Sequence, residues 1–77
     1  MSATTFTVQF RASEFGYDID DLVRAVDDPD LLATEIENHL AAFGRHDQHQ
    51  LRVVVTPWHE AIVYSFDDEI GRADILI

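Results

Sequence analysis

The chain has 77 residues and 15 carboxylates against five basic side chains, all Arg, giving a formal charge of −10 with no cysteine. That balance argues against nucleic acid and anionic membrane as direct partners, since neutralising phosphates takes clustered Lys or Arg. The absence of Cys removes any disulfide framework or thiolate metal site, so a single small domain must be held by packing or by association.

Two causes produce such acidity. One is adaptation to concentrated salt, which the absence of Lys and the preference for Asp favour; the other is a surface selected to attract a basic partner, as on a small viral protein. From Met1 to Thr5 there is neither a basic region nor an apolar run, and no stretch reaches the ~18 apolar residues of a membrane span. The expectation is a cytoplasmic protein that needs no cofactor.

From Thr5 to Arg11 the residues alternate, with Phe6, Val8 and Phe10 on one side and Thr7, Gln9 and Arg11 on the other, which predicts a half-buried strand. Glu14-Phe15-Gly16-Tyr17 reads as a turn. Asp18 or Asp20 then caps a predicted two-turn helix that carries Ile19, Leu22, Val23 and Val26 at helical spacing. Asp27-Asp28-Pro29-Asp30 is a second helix start, with Asp28 as cap, Pro29 at the first helical position and Asp30 at the positive end of the dipole. This helix runs to about Phe43 and stops at Gly44, with Arg45 and His46 beside its negative end. Leu32, Ile36, Leu40 and Phe43 form its core stripe, which Leu31 and Ala42 widen.

After the polar connection 46–50 come three β-like runs, Leu51 to Thr56, Ala61 to Phe66 and Ala73 to Ile77, joined by turns at 57–60 and 67–72. The core-facing residues expected are Leu51, Val53 and Val55, then Ile62, Tyr64 and Phe66, then Ala73, Ile75 and Ile77. Val54, Val63 and Leu76 fall on the opposite face. The predicted fold is therefore α+β, a two-layer β-α-α-β-β-β sandwich with both helices on one face of a four-stranded, mostly antiparallel sheet. An apolar second face on such a sheet predicts either a homodimer or a dedicated protein partner.

Chemistry-bearing patterns are sparse. Asp18, Asp20, Asp21, Asp27, Asp28 and Asp30 place six carboxylates within thirteen residues, but a calcium loop starting at Asp18 would need Gly where Val23 stands and Glu where Pro29 stands. These residues read as helix caps and solvated surface. Four His, at 39, 46, 49 and 59, lack the spacing of a zinc site, and His39 is expected to pair with Glu35 one helical turn earlier. The three Gly are isolated, Ser13 and Ser65 have no catalytic neighbours, and no enzyme is expected.

Trp58, beside Pro57, His59 and Glu60, is the most informative local group. At a hairpin tip it is either an interface anchor or a lid folded back over the helical layer. The preferred reading is a non-enzymatic protein-interaction module, a structural or accessory subunit acting through Val54, Trp58, His59, Val63 and Leu76. The alternative is an acidic inhibitor or DNA mimic that presents its carboxylates to the basic groove of a nucleic-acid enzyme.

Overall fold

A computed structural model describes residues 4–43 and 47–77. It is an α+β fold in which β1 (Thr4–Phe10), α1 (Ala12–Phe15), β2 (Leu22–Val26), α2 (Pro29–Ala42), β3 (Leu51–Val55), β4 (Glu60–Ser65) and β5 (Asp68–Leu76) follow in chain order. A 3-10 turn, Gln48–Gln50, leads into β3. The five strands form one antiparallel sheet in the order β2-β1-β5-β4-β3. Helix α2 touches both edge strands, so the sheet curls around it.

The first strand docks between β5 and β2, with Val8 opposite Ile75 on one side and Leu22 on the other. The additional strand, β2, replaces the expected first helix. Leu22 and Val26, four residues apart, share a face in either a helix or a strand, so spacing alone does not separate the two. Val23 separates them: a helix would bury it beside Leu22, whereas it is 53% exposed on the opposite face. The first half of the expected turn at 14–17 instead belongs to one helical turn, α1, which is capped by Gly16 in the left-handed conformation (φ 84°) with its N–H bonded to the Ala12 carbonyl at 2.8 Å.

Helix α2 starts as expected. The Asp28 carboxylate accepts from the Asp30 N–H at 3.0 Å, satisfying one of the free donors of the first turn. Leu32, Ile36 and Leu40 are buried, while Phe43, expected in the same stripe, is exposed, as is Leu31. The expected stop at Gly44, with Arg45 and His46, lies outside the described residues.

The helix lies on Val8, Phe10, Leu22, Val26, Leu51, Val53, Ala61, Val63, Ala73 and Ile75, the buried face of the sheet. Pairing in β4 corrects the expected orientation. Val53 stands opposite Val63, and Val55 opposite Ala61, so Ala61 and Val63 face the helix. Ile62 and Tyr64 face the other way, as cross-strand neighbours must share a face. Val63 is thus fully buried and does not belong to a second apolar face.

Two further differences follow from one turn. Phe66 adopts φ 56° and closes β4 onto β5 in the two residues Phe66-Asp67, so the expected turn 67–72 becomes strand. Phe66 is 64% exposed instead of core-facing, and Ile77 is also exposed. A bulge opposite Val63 and Tyr64 absorbs the extra residue of β5. Close by, Gly71 lies under the Phe15 ring, where a Cβ would come within 2.6 Å of it. Gly71 is therefore what lets α1 cap this corner, with Phe15 packed edge-on against Phe10 and Tyr17.

Candidate protein-interaction surface

The β3–β4 hairpin carries Trp58 on a loop tied down from both sides. The Thr56 N–H donates to the Glu60 carbonyl at 2.8 Å, and the Ile75 N–H donates to the His59 carbonyl at 2.8 Å. The Trp58 N–H meets the Thr56 hydroxyl at 3.3 Å, and His59 takes φ 58° to bring the chain back into β4. The backbone is fixed, yet the indole is 86% exposed. It does not fold over the helical layer, so the lid arrangement does not hold.

Beside this loop, between the sheet and the start of α2, lies an open cleft of about 440 Å³. Phe6, Leu32, Val55 and Ile75 supply its apolar lining, and Asp30 and His59 are among its polar residues.

The helix-free face of the sheet is not one apolar patch. Val54 pairs with Ile62 on the β3–β4 side, whereas Leu76 pairs with Thr7 and, beyond it, Val23 on the β1–β2 side. A charged cluster separates them. Arg11 holds Asp74 through two bonds, Nη2–Oδ1 at 2.6 Å and Nε–Oδ2 at 3.2 Å, and reaches Glu60 at 2.9 Å. Glu60 also accepts from Arg72 at 3.1 Å, and Arg72 bonds Glu69 at 3.1 Å. The Arg11 bond holds the Asp74 carboxyl below its ordinary range, and the bond to Glu69 raises the pKa of Arg72. Arg52 lies 4.8 Å from the centre of the Tyr64 ring on the same face.

The six sequence-adjacent carboxylates are all exposed but do not form one group. Asp18, Asp20 and Asp21 precede β2, and Asp27, Asp28 and Asp30 follow it, so the strand holds the two sets apart. At about 3.3 Å per residue, Asp21 and Asp27 stand about 20 Å apart. Among the described residues, no three His, Asp or Glu side chains are gathered to hold a metal ion. Glu35 pairs with Arg24 at 3.3 Å, and not with His39. The His39 Nε2 instead lies 2.7 Å from the Asp20 carbonyl, which can only accept, so Nε2 carries the proton. Its ring stacks on Phe10 and meets Phe43 edge-on.

The chain matches no protein-family model, no curated protein and no solved structure at a significant level. Fold and site therefore rest on the residues themselves.

Sequence reasoning missed the Arg11–Asp74–Glu60–Arg72 cluster. Arg11 and Asp74 are 63 residues apart, and nothing in the local pattern joins them before β1 is known to pair with β5. The available signal was outward placement: Arg11 already fell on the polar side of the first strand. No helix of the described residues is long and apolar enough to cross a membrane.

Proposed function

We propose that this chain is a small non-enzymatic protein-interaction module, a structural or accessory subunit that docks through the Trp58 hairpin. The single observation that carries the reading is an indole 86% exposed on a loop whose backbone is bonded on both sides. A large aromatic standing in water on a fixed backbone has most of its apolar area still to bury, and only its side-chain torsions are ordered on docking, which suits an interface hot spot. His59 and the neighbouring cleft extend the contact on one side. Val54 and Leu76, both exposed, lie further out on the helix-free face as separate contributors. The partner is another protein, with a second copy of this chain as one form of it. Catalysis has no part in the reading.

The test is affinity capture from the source cell with the wild-type chain and with Trp58→Ala, alongside the melting temperature of each. The reading expects a partner retained by the wild type and lost by the variant, with Tm nearly unchanged. Retention of the same partner by Trp58→Ala, or a steep loss of Tm, counts against it.

A further inference from the structure

Strand β2 is an edge of the sheet, and the ladder fixes which of its backbone groups are already used. The Arg11 N–H donates to the Arg72 carbonyl at 3.1 Å, which places the odd-numbered residues of β1 toward β5. Thr4, Phe6 and Val8 then face β2, opposite Val26, Arg24 and Leu22. Val23 and Ala25 therefore direct their N–H and C=O groups away from the sheet, and both residues are exposed.

Free edges are usually blunted by Lys, Pro or a bulge. Leu22–Val26 contains none of these, and the sheet's one register shift lies between β4 and β5. Among the described residues of the strand itself, the guard is Arg24. Its Nη1 donates to the Val23 carbonyl at 3.1 Å, and its Nε to Glu35 at 3.3 Å. Both are surface contacts of a half-exposed side chain, which contribute little and exchange readily.

Charge selects the occupant. Asp20 and Asp21 stand at one end of the strand, Asp27 and Asp28 at the other. Antiparallel pairing of two copies about Arg24 would set Asp21 of one against Asp27 of the other, Asp20 against Asp28, and Arg24 against Arg24. Every charged pair across that ladder would be repulsive, between chains that each carry −10. A basic strand reverses the sign at both ends.

We infer that the free edge of β2 accepts an extended segment of a partner protein by strand addition, with small or β-branched residues opposite Leu22–Val26 and Lys or Arg at both ends. Main-chain bonds to Val23 and Ala25 supply the pairing, and the four Asp supply the selectivity. Arg24 swings off the Val23 carbonyl as the strand enters. This contact lies apart from the Trp58 hairpin and does not rest on that reading.

The test is a titration of the full chain, followed by amide shifts, with a synthetic peptide that has a Val-Thr-Val-Thr-Val centre between paired lysines. A second peptide with glutamates in place of the lysines is the control. The expected result is shifts centred on Val23 and Ala25 with the lysine peptide alone, weakening about tenfold as salt rises from about 0.05 M to 0.3 M. Ala25→Pro removes an outward N–H without touching the β1 ladder and should abolish binding while the spectrum stays folded. Asp20→Asn with Asp21→Asn and Asp27→Asn should weaken binding about tenfold, and Arg24→Ala should strengthen it. Absence of binding by the lysine peptide, equal binding by the glutamate peptide, shifts centred on β3, or full affinity in a folded Ala25→Pro variant would each overturn the inference.

Discussion

Arg11 grips Asp74 across the β1–β5 ladder with two bonds, the shorter 2.6 Å, joining the first strand to the last on the helix-free face. Such a bidentate pair favours the charged carboxylate and holds the Asp74 pKa below the ordinary 3.8. A carboxylate lowered in the folded state stabilises the fold above its unfolded pKa and loses that contribution as pH falls through the folded value. Asp74→Asn should therefore lower Tm modestly at pH 7, since the pair is half exposed. The gap to the wild type should close below about pH 3.8, read by thermal melts across an acid series.

Glu37 has the opposite sign. Burial pushes its carboxyl above the ordinary 4.5. A raised pKa means that the folded state binds the proton more tightly, so the ionised form costs stability at neutral pH and the cost fades as pH falls toward the unfolded value. Glu37→Gln should stabilise the chain at pH 7 by about 0.5 kcal/mol or less, discounted because the side chain is still partly solvated. The advantage should shrink as pH approaches 4.5, in melts of the two proteins run side by side.

Phe66 holds φ 56° in the two-residue turn between β4 and β5, a left-handed conformation that costs a residue with a Cβ about 1–2 kcal/mol. Phe66→Gly should remove most of that cost and raise stability by about 1 kcal/mol, after subtracting the extra freedom Gly has when unfolded. Urea unfolding of the variant checks it through the transition midpoint.

Gly71→Ala should act the other way. The new Cβ would press within 2.6 Å of the Phe15 ring, which Phe10 and Tyr17 hemmed in edge-on leave little room to move. An overpacked corner of this kind costs about 1–3 kcal/mol. Denaturant unfolding should show the loss, and a Phe15→Ala, Gly71→Ala double variant should lose less than the two single losses summed.

Helix α2 and the succession of three strands β3, β4 and β5 were legible because their signals are redundant, although the start of β5 and the facing of β4 were not. Asp28-Pro29 marks a start in both capping and backbone terms, and Leu32, Ile36 and Leu40 repeat at one period only. β2 was not legible, because Leu22 and Val26 satisfy the helical and the extended period alike and the pairing with β1 that decides between them is non-local. The facing of Val63 depended on register with Val53, which a run of apolar residues on both faces of β4 does not reveal. Of the candidate surface, Trp58 and His59 were visible as a hairpin tip, Val54 and Leu76 as outward residues. The charged cluster that divides the helix-free face was hidden by sequence distance.

The docking role of Trp58 is tested most directly by fluorine NMR of the chain produced with 5-fluorotryptophan, which gives a single probe because the sequence holds one Trp. In the free protein the resonance should sit where solvent-exposed indole does and respond to replacing water with heavy water. On adding the partner captured by the wild-type chain it should shift and lose that response. A resonance already shielded from solvent in the free protein, or one that stays unchanged when the partner binds, would contradict the account.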